Sequence, residues 1–191
     1  MNVAIFPLGA VLFPEGALSL RIFEQRYLEM TKRCLRDELP FGVCLIKEGS
    51  EVGTPAVPEP VGCLATITHW DMPQLGMFTL AARGGARFRI LDRSVDRLGL
   101  ITADIECWDD DPPGAAMDAT CRSLVKTLMD RAGNKLFPEP ARLDDPAWVG
   151  FRLAELLPLD QQMKQELLEL RDAGERLKRL AKVLEDEGYS A

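Results

Sequence analysis

Short apolar runs punctuated by Gly and Pro fill the first half of the chain: Val3–Phe6, Ala10–Phe13, Ala17–Ile22, Phe41–Ile46, Val61–Thr68, Met77–Ala82, Arg87–Leu91 and Leu100–Cys107. Each has the length of a strand and is bounded by turn-forming residues. Phe88-Arg89-Ile90 and Ile101-Thr102-Ala103-Asp104-Ile105 alternate apolar and polar positions, the period-two mark of a half-buried strand. So many short strands predict a small barrel or sandwich. One helix interrupts them, from Glu24 to about Arg36. Phe23, Tyr27, Met30, Thr31, Cys34 and Leu35 recur there every three or four positions. Glu24 and Glu29 precede Lys32, Arg33 and Arg36, an order that complements the helix dipole.

The period changes near Asp109-Asp110-Asp111-Pro112-Pro113-Gly114. Residues 1–110 therefore form a strand-rich domain and residues 115–191 a helical bundle. In Ala115–Arg131, Met117, Cys121, Leu124, Val125 and Leu128 share one face, and Gly133 offers a stop. Asp145 is placed to cap a helix with Pro146 in its first turn, ending before Pro158. A long last helix is expected from Asp160 to about Glu187. Its stripe is Met163, Leu167, Leu170, Leu177, Leu180 and Leu184, with Gly174 in register. Asp172→Arg176 and Glu175→Arg179 add ion pairs of the favourable orientation.

Composition narrows the function. The 191 residues carry 23 basic and 30 acidic side chains, a net charge of −7, which opposes an electrostatically driven nucleic-acid binder. Acidity is uneven: residues 1–108 hold 11 basic and 13 acidic groups, the remainder 12 and 17. The start, Met1-Asn2-Val3-Ala4, has no basic n-region or cleavage site, and no apolar stretch approaches the ~18 residues of a membrane span. Cys34, Cys44, Cys63, Cys107 and Cys121 form no Cys-x-x-Cys pair, and their odd number suits neither a disulfide framework nor a zinc knuckle. Core thiols in a reducing cytoplasm are the expectation.

Catalytic motifs are missing. There is no Gly-Lys pair for a phosphate loop, no Gly-x-Gly-x-x-Gly after a strand and no Gly-x-Ser-x-Gly elbow. The single histidine, His69, excludes multi-histidine metal sites. It has Asp71 beside it, but Cys63, a potential nucleophile, is about 20 Å away in an extended strand. Asp109-Asp110-Asp111 reads as a solvated charge run rather than a cation site. No cofactor or metal is implied. Arg83, Arg87, Arg89, Arg93 and Arg97 make a basic stripe, and Arg87 and Arg89 share a strand face. These two are the candidate binding residues, able to grip phosphate or a peptide carboxylate. Equally, strand arginines pair with neighbouring acids and cover apolar surface.

Three segments resemble one family. They are Phe6-Pro7-Leu8-Gly9-Ala10-Val11-Leu12-Phe13-Pro14-Glu15-Gly16 followed by Leu18-x-Leu20-Arg21-Ile22-Phe23-Glu24-x-Arg26-Tyr27; Phe41–Ile46 with Val61–Ala65; and Gly84-Gly85-x-Arg87-Phe88-Arg89-Ile90. Together they resemble the N-terminal substrate-binding domain of Lon proteases, and most closely the stand-alone bacterial proteins built from it. Leu157-Pro158-Leu159, Lys164-Gln165-x-Leu167-Leu168-Glu169 and Arg176-Leu177-x-x-Leu180 are similar to the helical part of that region. The resemblance implies an α+β chain: a PUA-like β-barrel with one packed helix, then a helical bundle with a long last helix. Full Lon enzymes follow this region with ATPase and Ser-Lys protease modules, and the 191 residues hold neither. A non-catalytic module is therefore implied, one that recognises unfolded or damaged polypeptide, self-associates and works with a protease in trans. PUA-like barrels also bind RNA, which keeps the Arg83–Arg97 stripe open as an RNA-contact alternative.

Overall fold

The computed structural model describes residues 1–109, 111–112, 114–132 and 137–186. Among them are six strands and five helices, a mixed α/β chain. It divides into two compact units, Met1–Asp109 and Asp110–Ala191.

The first unit holds β1 (Asn2–Leu8), β2 (Ala17–Ile22), α1 (Gln25–Asp37), β3 (Phe41–Glu48), β4 (Val57–Gln74), β5 (Met77–Val95) and β6 (Ile101–Cys107). Hydrogen-bonded neighbours run β2-β5-β4-β3-β1-β6, and β5 also pairs with β6. The β1–β3 pair is parallel and the others antiparallel. β1 is buried on both faces, which explains its unbroken apolar run. Ala4, Phe6 and Leu8 join Tyr27, Met30 and Cys34 of α1 in one core. Val3 and Ile5 join Phe88, Ile101, Ala103 and Ile105 in a second.

Two strand expectations are corrected. Ala10–Phe13 is not a strand but a loop that buries Leu12 and Phe13. The loop docks on β5: Glu15, with φ 61°, donates its N–H to Gly84 O at 2.9 Å, and Gly84 donates to Gly16 O at 2.9 Å. A Cβ on Gly84 would lie 2.1 Å from Phe13 O, so only glycine permits this approach. Gly84-Gly85 is consequently no turn, and Met77–Ala82 and Arg87–Leu91 are parts of the single 19-residue β5. The glycines sit where pairing slips from Cys63↔Arg87 to Ala65↔Gly84, a bulge that holds the extra residue. Phe23, expected on the helix stripe, precedes α1 and is 57% exposed.

The second unit contains α2 (Ala119–Ala132), α3 (Pro146–Leu156), α4 (Gln161–Glu169) and α5 (Ala173–Asp186). α2 starts later than its periodicity predicts because Asp118 caps it, accepting from Cys121 N–H at 2.8 Å. α3 begins as expected, with Asp145 accepting from Ala147 and Trp148 N–H and Pro146 in the first turn. The single long last helix is wrong: it is broken into α4 and α5. Asp172 restarts the chain by accepting from Glu175 N–H at 2.9 Å, while the Arg176 guanidinium takes the carbonyls of Leu167 and Leu170 that a continuous helix would have used. The expected pairs along that helix are replaced by Arg176–Asp111, Arg179–Glu166 and Lys178–Glu175. Asp111 is thus not solvated; its side chain is 2% exposed. Gly133, Asp110 and Glu187 lie outside the described residues.

Candidate functional site

Of the arginine stripe, Arg87 is buried, while Arg83 and Arg89 each have an acidic neighbour. Arg83 reaches Glu15 at 3.5 Å and Arg89 reaches Glu106 at 3.0 Å. Arg87 is only 4% exposed, its guanidinium 5.5 Å from the centre of the Trp108 ring, and Trp108 N–H donates to Arg87 O at 2.8 Å. Arg93 and Arg97 are exposed on the far end of β5 and the loop after it. His69 is exposed on β4 and Cys63 is buried on the same strand, while the Asp71 carboxylate accepts from Met72 N–H at 2.8 Å. Among the described residues no group of His, Cys, Asp or Glu is arranged to hold a metal ion. No helix among the described residues is long and apolar enough to cross a membrane.

Four cysteines are buried and Cys107 is exposed. Burial pushes the Cys34 and Cys44 thiols up, and burial with the nearby Asp118 carboxylate pushes Cys121 up to about 12. Because the thiolate is the reactive form, Cys107 alone should react rapidly with a disulfide reagent in the native protein. A count of released chromophore should give one fast thiol, rising to five in denaturant. Two or more fast native thiols would contradict this burial.

The structure supplies a feature that the sequence did not reveal. A groove of about 390 Å³ runs beside β2, lined by the consecutive residues Leu18, Ser19, Leu20, Arg21 and Ile22. A cavity over a sheet face meets alternate side chains, since these point to opposite faces; one lined by consecutive residues lies along a strand's edge. β2 pairs only with β5 among the described residues, so its other edge offers unpaired main-chain groups to the groove. Phe6, Leu8 and Tyr27 also line it, as do Phe23 and Val52, each 57% exposed.

The walls are held by specific contacts. Glu51 accepts from Gly9 N–H at 2.7 Å, fixing the loop that carries Val52. Phe6 and Tyr27 stack with ring centres 4.1 Å apart, and burial raises the Tyr27 phenol. The Glu24-x-Arg26-Tyr27 motif anchors the start of α1. Arg26 pairs with Glu24 at 2.9 Å, lies 4.7 Å over the Tyr27 ring and donates to Gly99 O at 3.4 Å. An edge with apolar flanks suits an extended polypeptide, which can satisfy main-chain groups and bury side chains together. The sequence signal for it was Phe23, an aromatic assigned to the helix stripe that the structure leaves exposed ahead of α1.

Comparison with known proteins places the chain in a family. The model of the "ATP-dependent protease La (LON) substrate-binding domain" matches residues 2–186. The chain belongs to the Lon substrate-binding domain family. It is similar to the crystal structure of a Lon N-terminal domain protein from Xanthomonas campestris, with 32% identity and a TM-score of 0.79 over 95% of this chain and 98% of that one. The N-terminal domain of the Mycobacterium avium complex Lon protease shares the fold alone: TM-score 0.69 over 97% of this chain and 99% of that one, at 16% identity. Lon protease of Paraburkholderia phytofirmans is 27% identical over 192 aligned positions, 93% of this chain. The chain spans only 23% of that curated relative's length.

Proposed function

We propose that the protein is a substrate-binding module without catalysis of its own, which captures unfolded or damaged polypeptide segments in the groove beside β2. The observation that carries this is the coincidence of a free strand edge, an apolar lining and two half-exposed apolar side chains, Phe23 and Val52, in one groove. Membership of the Lon substrate-binding family supports it. In this reading residues 1–110 are a PUA-like barrel, which the β5–β6 pairing supports, and residues 115–191 a helical bundle domain. Delivery of the captured segment to a protease in trans, in the cytoplasm, completes the proposal. The acid partners of Arg83 and Arg89 and the burial of Arg87 favour polypeptide over RNA.

A labelled, reduced and carboxymethylated protein titrated with the full chain tests it by fluorescence anisotropy. Saturable binding is expected, and the Phe23→Ser/Val52→Asp variant should bind at least about tenfold more weakly, since burying a Phe side chain is worth about 1.5–3 kcal/mol. Its thermal unfolding should match that of the parent because both side chains are largely solvated. No binding, or an unchanged affinity in the variant, would overturn the groove. Tighter, salt-dependent binding of labelled RNA in the same titration would reverse the preference over nucleic acid.

A further inference from the structure

A second open edge lies on β1. Asn2, Val3, Ala4 and Ile5 pair with β6 through Asp104, Ala103, Thr102 and Ile101, yet β3 joins the other side of β1 only from Ile5↔Gly42 onward. Among the described residues no strand flanks Asn2–Ala4 on that side. A cleft of about 420 Å³ opens there, lined by the consecutive residues Met1, Asn2, Val3 and Ala4, again the pattern of an edge rather than a face. Met30, Cys34, Leu39 and Leu100 supply its apolar walls.

The charges around this cleft are mostly engaged. Lys32 holds Glu29 at 2.8 Å and Arg36 holds Asp37 at 2.7 Å. The Asp96 carboxylate accepts from Leu98 N–H at 2.8 Å and Leu100 N–H at 2.9 Å, and so serves its own turn. The Met1 ammonium donates to Ile105 O at 3.1 Å. Arg33, which lines the cleft and is exposed, makes no ion pair within 4 Å among the described residues, although, after the Arg36 hydrogen bond, its charge helps lower the Asp37 carboxyl. One guanidinium without an ion pair, one short open edge and one cleft with an apolar wall stand together in a chain of net charge −7.

We propose that this cleft binds the C-terminal end of a polypeptide whose last side chain is apolar, a claim that rests on the polypeptide-binding reading above. The terminal carboxylate pairs with the planar fork of Arg33, a geometry that two carboxylate oxygens match. The last main-chain amides add to the Asn2–Ala4 edge as a short strand, and the last side chain enters the apolar wall. An internal segment has the edge groups but no charge for Arg33.

The test uses one short peptide with an apolar last residue, made as the free acid and as the C-terminal amide, each titrated with the full chain. The acid should bind about fivefold more tightly, the scale of a partly solvated ion pair worth ~1 kcal/mol. Arg33→Gln should bring the acid to the level of the amide and leave the amide unchanged. Arg33→Lys should retain only part of the preference, because it keeps the charge and loses the fork. The Phe23→Ser/Val52→Asp variant should leave the ratio of acid to amide intact. Equal binding of acid and amide, or a preference that survives Arg33→Gln, would overturn this site while leaving polypeptide binding in place. Failure of either peptide and of the unfolded protein to bind would overturn both.

Discussion

Asp111→Ala should destabilise the helical unit by about 3–5 kcal/mol, the cost of removing one member of a buried ion pair and leaving the other uncompensated. Arg176 is fully buried, its Nη1 is 2.6 Å from Asp111 Oδ2, and its guanidinium carbon lies 4.0 Å from the centre of the Phe151 ring. The same guanidinium donates through Nε to Leu167 O at 3.0 Å and through Nη2 to Leu170 O, closing the C-terminal end of α4. Without Asp111 the charge remains where water cannot reach it. Replacing both partners, Asp111→Leu with Arg176→Met, should recover part of the loss, as an apolar pair carries no buried charge. Recovery should stay incomplete because two helix-end carbonyls lose their donor, at about 1–3 kcal/mol for each left unsatisfied. Urea unfolding followed by far-UV circular dichroism and by the buried Trp148 measures these differences. An Asp111→Ala loss below about 1 kcal/mol would show that the pair is solvated in solution. Glu175→Ala, which breaks the exposed pair with Lys178, is the control and should leave the unfolding curve unmoved.

The break that creates this arrangement was invisible to periodicity. Leu167, Leu177, Leu180 and Leu184 keep one register across residues 170–172, so the stripe predicts one helix although the chain makes two. What divides them is the Asp172 cap and the Arg176 guanidinium on the Leu167 and Leu170 carbonyls, the latter held by Asp111, a carboxylate too far away in sequence for helix periodicity to report. Local signals fared better where the structure used them locally. Asp145 with Pro146, and Asp160 at the head of α4, cap the helices that their positions announce. Gly84-Gly85 failed for the opposite reason. A glycine pair is read as a turn by its conformational freedom, but here its missing Cβ makes room for the Phe13 carbonyl.

The binding surfaces were less legible than the strands. Both clefts are assembled from distant stretches, residues 6–8 with 18–27 and 51–52 in one, residues 1–4 with 29–40 and 96–100 in the other. Each depends on which strand edge stays unpaired, and pairing partners are a property of topology. The arginine stripe shows the converse. Arg83, Arg87, Arg89 and Arg93 do lie on β5, yet Trp108 and Glu106, brought alongside by the β5–β6 pairing, cover or engage two of them. Family resemblance bridged part of this gap because its motifs record residues kept together by the fold.

Phe88→Ala should cost about 3–5 kcal/mol and open a cavity that one glycine position, and not another, can fill. Phe88 is fully buried, and its ring occupies the space that side chains at Gly42 and Gly62 would need. A Cβ on Gly42 would meet Ile5 Cδ1 and Phe88 Cζ, both at 2.7 Å, and each is the end of a side chain. A Cβ on Gly62 would meet Phe88 Cζ at 2.8 Å but also Val43 O at 2.3 Å, which is backbone of the paired strand β3. Gly42→Ala and Gly62→Ala should therefore both destabilise the parent. In the Phe88→Ala background they should part company. The Gly42 methyl can enter the vacated ring volume, so the double variant should lose less than the sum of the singles, by about 0.5–3 kcal/mol. The Gly62 methyl still strikes the Val43 carbonyl, so its penalty should add almost in full. Two double-mutant cycles by chemical denaturation decide the matter. Additivity at Gly42, or coupling of equal size at Gly62, would mean that the backbone rather than the Phe88 ring sets the need for glycine at both positions.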